Sequence, residues 1–237
     1  MLDKIHLQNI LFLDIETVPE VYKFNDLDET TKSLFADKTA YQRKEDVSPE
    51  EFYKRAGIWA EFGKIVCISV GYFVFKNDVR QFRTTSFFGD EIKILQDFIN
   101  LLQNHFNSPQ VVLCGHNIKE FDLPFIGRRM IIHGLEIPNK LNAMGKKPWE
   151  IPHLDTLELW KFGDYKHFTS LKLLTHILGI SSPKDDIDGS QVAEIFYTEN
   201  DIDRIIIYCE KDVVAVAQVL LKLKRQPLLT ENELFSV

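Results

Sequence analysis

Apolar residues recur along this chain in two rhythms, and the switches between them mark its elements. Ile10 to Ile15 (ILFLDI) is a short apolar run interrupted by a carboxylate, the pattern of a central strand buried on both faces. The runs Ile65 to Phe75 and Val79 to Phe88, separated by Lys76, Asn77 and Asp78, predict an antiparallel hairpin. Helical spacing takes over from Glu91 to Phe106, where Ile92, Leu95, Phe98, Ile99 and Leu102 share a face and Asp90 is placed to cap it. Val111 to Cys114 predicts another buried strand, Phe121 to His133 a helix closed by Gly134, and His153 to Leu159 a further strand. Ser170 to Leu178 reads as a short helix, and Asp201 as the cap of a long final helix from Ile202 to about Lys224.

Three meandering strands followed by alternating helices and strands imply an α/β layer fold, a mixed sheet with helices packed on its faces. Pro19 to Phe62 fits this scheme least. It is a charge-rich insertion, helical in two pieces around Glu29 to Phe35 and Pro49 to Trp59, that either shapes a substrate cleft or covers the sheet. With 237 residues, 45% of them hydrophobic and 27% charged, and with no repeat or low-complexity tract, a single domain is expected. The first residues lack an apolar signal region and no stretch is long enough to span a membrane, so a cytoplasmic protein is expected. Cys67, Cys114 and Cys209 are far apart and each set in an apolar run, which suits reduced, buried thiols rather than a zinc site or a disulfide framework. The net charge of -7 argues against general phosphate-neutralising binding but not against a nuclease, because bound cations reverse the local charge of clustered carboxylates.

Three short motifs carry candidate chemistry. In Asp14-x-Glu16, strand alternation puts both carboxylates on one face, where they repel unless a cation joins them; the plainer possibility is two solvated acids just past the strand's end. Asp122, in His116-Asn117-x-x-x-Phe121-Asp122-x-Pro124, falls at a strand-to-helix junction and serves equally well as a helix cap or a metal ligand. Tyr208-x-x-x-Asp212 places a phenol and a carboxylate on one helix face; Tyr22 with Asp26 and Tyr197 with Asp201 have the same spacing outside so regular a helical pattern. Asp155, His116 and the pair Asp188 and Gln191 read as structural. Lys119, Arg128, Arg129, Lys146, Lys147 and Lys166 read as solvated surface rather than phosphate contacts.

Taken in order, the three motifs, in the strings LFLDIET, GHNIKEFDLPF and YCEKDV, resemble those of the DEDD exonucleases, and the tyrosine resembles the mark of the DEDDy branch. The likeness is to stand-alone bacterial 3′-5′ exonucleases akin to the proofreading domain of family B DNA polymerases, and it runs from about Ile10 to Lys224. It implies a ribonuclease H-like fold with a mixed five-stranded sheet, and a metal site of Asp14, Glu16, Asp122 and Asp212 for two Mg2+ or Mn2+ ions. By the same resemblance Asp14 bridges both ions, Glu16 and Asp212 complete the site of the ion that activates water, and Asp122 holds the second. Tyr208 would hydrogen-bond the attacking water, while Asn117 and Phe121 lie on the substrate side. Phe121 is open to a second role in core packing. The implied partners are 3′ ends of single-stranded DNA, or less favourably RNA, with no polymerase domain following in the same chain. A non-catalytic binding module on the same fold, or a hydrolase of small nucleotides, remains as an alternative.

Overall fold

The structure is a computed structural model that describes every residue except Met1, Asp78, Tyr165 and 182–186. In chain order its elements are β1 (Ile10–Pro19), α1 (Glu29–Thr39), α2 (Pro49–Phe52), β2 (Gly63–Lys76), β3 (Val79–Phe88), α3 (Glu91–Asn104), β4 (Val112–Gly115), α4 (Asp122–Ile132), β5 (Leu154–Asp155), α5 (Thr156–Lys161), α6 (Leu171–Ile177), α7 (Val192–Glu194), α8 (Ile202–Leu223) and β6 (Leu234–Ser236). The strands form one mixed sheet in the order β5-β4-β1-β2-β3-β6, with β1 antiparallel to β2 and parallel to β4.

Strand β1 lies inside the sheet and is covered on both sides, as its apolar run requires. Its odd-numbered residues Leu11, Leu13 and Ile15 join Leu95, Phe98, Phe125 and Ile126 of α3 and α4. Its even-numbered residues Ile10 and Phe12 pack with Val213, Val216 and Ala217 of α8, and Val18 packs with Ile205 and Cys209 of the same helix. The contact of α8 with the sheet is close at Gly71 of β2, where a Cβ would collide with the Phe82 ring and meet Val213 Cγ1 at 2.7 Å. Asp201 caps α8 by accepting from the Arg204 backbone N–H, and Asp90 caps α3 through the Lys93 N–H. Residues 20–62 carry α1 and α2, with a small, largely aromatic core of Phe35, Tyr53, Ala56 and Phe62.

Four expectations need correction. The sheet has six strands rather than five: three-residue β6 pairs with β3 beyond the final helix and is too short to show a period. The segment expected as a strand over His153 to Leu159 is a strand only at Leu154–Asp155, because Asp155 turns to cap α5 and accepts from the Leu157 N–H. In α3 the buried face is Glu91, Ile94, Leu95, Phe98 and Leu102, and Ile92 is exposed. Arg129 is neither surface nor phosphate contact. It is 1% exposed and lies fork to fork on Glu91, with Nε 2.9 Å from Oε1 and Nη2 2.6 Å from Oε2. Asp78, expected in the hairpin turn, lies outside the described residues.

The Arg129 pair ties four segments together, since Arg129 also donates to the Ala60 carbonyl and Glu91 accepts from the Ile65 N–H. Burial pushes the Glu91 carboxyl up, but Arg129, the Ile65 N–H and His133 outweigh it and hold it below its ordinary value. Removing the guanidinium leaves a buried carboxylate with too few donors. Arg129→Ala should therefore cost about 3–5 kcal/mol of stability in urea unfolding; a loss under about 1 kcal/mol would show that the pair is dispensable.

His153 provides a pH test. Its Nδ1 accepts from the Leu113 N–H at 3.1 Å and its Nε2 donates to the Lys140 carbonyl at 2.8 Å, an arrangement that needs the neutral ring. Burial lowers its pKa from 6.5 to about 4. The unfolded chain thus binds more protons between those values, so this contribution is complete above about 6.5 and is lost as pH falls toward 4. Between pH 7 and pH 4 the wild type should lose about 3 kcal/mol more than His153→Gln, which keeps an acceptor and a donor but does not titrate. Parallel pH profiles for the two proteins would refute this.

Candidate active site

Two-residue alternation decides where the first pair of acids goes. Ile10, Phe12 and Val18 face α8, so Asp14 and Glu16, between them in the same series, do so too. They occupy the middle of a stripe whose other members are apolar. They are not solvated acids past a strand end: both lie within β1, Asp14 opposite Ser69 and Glu16 opposite Cys67. The register slips by one residue between Glu16 and Thr17, a bulge that increases local twist where the second carboxylate is presented. Asp14 is half-buried and Glu16 buried.

Helix α8 supplies the facing wall. The spacing that buries Ile205, Cys209, Val213 and Val216 against the sheet brings Cys209 over Asp14, with Sγ 3.4 Å from the Asp14 carbonyl and 3.5 Å from Oδ2. Ligand atoms of Asp14, Glu16 and Cys209 all lie within 4.8 Å of one another. In sequence Cys209 reads as a buried, reduced thiol and not as part of the site, although its place one turn after Ile205 marks it as facing the strand. Burial, reinforced by hydrogen bonding to Cys67, raises its pKa and keeps it a thiol. Tyr208 and Asp212 are half-buried on the same wall, and Tyr208 packs beside the cluster of Val18, Val66 and Cys209.

Asp122 arrives on α4, which follows β4, the parallel neighbour of β1, and packs on the other face of the sheet. It is the first residue of α4 and is buried, while the cap position is Phe121, which makes no side-chain cap bond. Asp122 thus stands one residue inside the helix rather than at its cap position, and its carboxylate accepts from the backbone N–H groups of Asp122 and Ile15. It is aimed by the turn before it. Gly115 accommodates Ile118, which would lie 2.7 Å from a Cβ there, and Asn117 adopts a left-handed backbone with φ of 64°. Asp155 clasps this turn, accepting from the Asn117 N–H at 2.9 Å and the Lys119 N–H at 3.2 Å while capping α5. His116 is structural, held by Thr156 and the Thr169 carbonyl, and Lys119 pairs with Glu158. The Asn117 side chain makes no hydrogen bond among the described residues. Phe121 is half-buried at the edge of the core beside Phe125, which fits either of its roles.

All four carboxylates feel one another. Burial, then Asp212, Asp122 and Glu16, push Asp14 well above its ordinary pKa; burial, then Asp212, Cys67 and Asp122, do the same to Glu16. Asp122 rises to about 7, chiefly through burial and with contributions from Asp155 and Asp212 that the backbone N–H groups of Asp122 and Ile15 partly offset. Such a cluster is costly unless a cation neutralises it. The donors are hard oxygens, with a protonated thiol beside them, so the residues fit Mg2+ or Mn2+ better than a soft metal.

Residues 58–232 match the family described as predicted 3′-5′ exonucleases related to the exonuclease domain of PolB. That span holds Asp122, Tyr208 and Asp212; Asp14 and Glu16 precede it and join the others through the fold. No curated protein matches the chain in sequence. Among solved structures, the family B DNA polymerase from the hyperthermophilic archaeon Pyrobaculum calidifontis is similar, with a TM-score of 0.54 at 16% identity over 90% of this chain and 24% of that one. The chain thus spans about a quarter of the polymerase's length, and the likeness shows a ribonuclease H-like fold.

Repulsion within the cluster is measurable. With chelator present, Asp14→Asn should be about 1 kcal/mol or more stabler than wild type, since it removes one buried like charge. Excess Mg2+ or Mn2+ should stabilise the wild type by about 2–3 kcal/mol at a hundredfold of its dissociation constant, and Asp14→Asn far less. A raised carboxyl contributes stability at low pH that is lost as pH rises, for Asp122 through about 7, so the gain from Asp122→Asn in the metal-free protein should grow as pH rises and be complete above about 7. Equal thermal shifts with and without cations would argue against a metal site.

Proposed function

This chain belongs to the family of predicted 3′-5′ exonucleases related to the exonuclease domain of PolB, and from that premise we propose that it removes nucleotides from the 3′ end of single-stranded nucleic acid. The observation that carries the proposal is the convergence of Asp14, Glu16, Asp122 and Asp212, from three separate elements, into one electrostatically coupled cluster. In this reading they hold two divalent cations, Mg2+ or Mn2+. When bound, the pair supplies a hydroxide near neutral pH and offsets the charge that grows on the phosphate and the departing 3′ oxygen.

The chain's own residues do the positioning. Tyr208 sits one helical turn before Asp212, so its phenol holds the attacking water beside that carboxylate. Cys209 donates its thiol hydrogen to Asp14 and steadies it. Asn117 offers its amide to the terminal nucleotide, and Phe121 presents the exposed part of its ring to the terminal base, stacking being worth roughly 1–3 kcal/mol. Similarity to a DNA polymerase favours DNA over RNA. Residues 1–237 are read as one exonuclease domain bearing the insertion at 19–62. Three free, buried cysteines favour the cytoplasm, and among the described residues no helix is long and apolar enough to cross a membrane.

A 5′-labelled single-stranded DNA and its RNA counterpart, incubated with Mg2+ or Mn2+, test this directly. The wild type should shorten the strand stepwise from its 3′ end, Asp14→Ala and Asp212→Ala should be inactive, and Tyr208→Phe should be slower by about 10²-fold. Intact strands under both metals would refute the proposal.

A further inference from the structure

Beyond the carboxylates, the α8-facing side of β1 continues into a set of aromatic rings. Val18 pairs with Lys64 of β2 and packs in the cluster that Phe196 and Tyr197 border. Tyr197 donates its hydroxyl to the carbonyls of Pro19 and Glu20, at 2.6 and 2.9 Å, which locks its ring to the end of β1. Tyr22, at the start of the insertion, stacks on Tyr197 with centroids 4.8 Å apart and planes 25° apart, and its own surface is 37% exposed. Phe196 meets Tyr197 edge to face. The Lys64 ammonium lies 5.1 Å from the Phe196 centroid and 5.2 Å from that of Tyr197, and among the described residues it has no carboxylate partner.

We infer that Tyr22, Tyr197, Phe196 and Lys64 form a stacking platform for the single strand upstream of its 3′ end. This rests on the exonuclease reading and gives the insertion a role in it. Pro19 is three residues from Glu16, about 10 Å along a strand, which about three nucleotides span at a stacked rise of about 3.4 Å. Aromatic faces accept any base, and a lysine beside them meets the backbone phosphate, so the platform binds without reading sequence. The rings come from an irregular backbone: residues Ile195–Glu199 form a π-helical turn ended by Asn200 at φ of 55°. Such turns are rare and recur at functional sites. A locked Tyr197 loses little freedom when a base joins the stack at Tyr22.

The test is binding of a 5′-fluorescent strand of about ten nucleotides, with Ca2+ replacing the catalytic metal, alongside cleavage kinetics in Mg2+. Tyr22→Ala should weaken binding about 5- to 100-fold and act on cleavage through KM. Tyr22→Phe, which keeps the ring, should restore both. Lys64→Ala should lower the slope of log affinity against log salt by about 0.7. Stacking that merely supports the fold would move the thermal midpoint and kcat but not the salt slope. Wild-type affinity in Tyr22→Ala, with stepwise cleavage intact, would overturn the platform alone. Absence of cleavage by the unsubstituted protein under Mg2+ and Mn2+ would remove the exonuclease reading and the platform with it.

Discussion

Two carboxylates in the middle of a buried apolar stripe are the constraint to which the rest of this structure answers. Ile10, Phe12 and Val18 bind β1 to α8 by ordinary burial, and Asp14 and Glu16 interrupt that contact where it would otherwise be continuous. An interior strand cannot move away to solvate its acids, because β2 and β4 hold it on both edges and α3 and α4 cover its other face. The charge has to be met where it stands. Asp212 and Asp122 act on the same carboxyls and raise their pKa values further, so the cluster is neutralised either by protons or, in the proposed reading, by cations.

Holding such a cluster requires rigidity on every side. Gly71 lets α8 approach the sheet closely, and Asp155 takes the backbone N–H groups of Asn117 and Lys119 while it caps α5, so the turn ahead of Asp122 has little freedom. On the other face the Arg129–Glu91 pair joins α3 and α4 to β2 and to the end of the insertion. A buried ion pair adds little net stability over well-packed apolar residues, but it is strict about geometry, and here it fixes the layer against which β1 lies.

What was legible in the sequence was what local periodicity encodes. Alternation placed Asp14 and Glu16 on one face, helical spacing placed Tyr208 with Asp212, and Asp90 and Asp201 announced their helices as caps. What stayed hidden depended on partners distant in sequence. Arg129 reads in sequence as solvated surface, and nothing local reveals that Glu91, at the start of α3, turns inward to meet it. β6 has three residues and exists because β3 offers an unpaired edge. Asp155 sits in a strand-like apolar pattern, but its side chain competes for the next backbone N–H groups and starts a helix instead. Asp122 was left open between cap and ligand, and only the backbone shows that Phe121 takes the cap position.

The insertion was the least legible segment, yet its attachment is specific. Thr17 Oγ1 donates to the Gly57 carbonyl at 2.7 Å, the Glu20 N–H to the Phe62 carbonyl at 2.8 Å, and the Tyr53 hydroxyl to the Val21 carbonyl at 2.8 Å. Gly57 and Gly63 pack backbone to backbone: a Cβ on Gly63 would meet the Gly57 oxygen at 2.8 Å, and one on Gly57 would meet the Val18 carbonyl carbon at 3.1 Å. Its aromatic core of Phe35, Tyr53 and Phe62 then closes over these joints. A segment so tied is a continuation of β1 rather than a loose loop, so the chain leaving Glu16 reaches Tyr22 along a nearly fixed path. Insertions free to move gain little from lying beside an active site, since ordering them costs about 1–2 kcal/mol per residue. Here that cost is met in folding, and Tyr22 and Tyr197 are already stacked at the end of β1 in the folded chain.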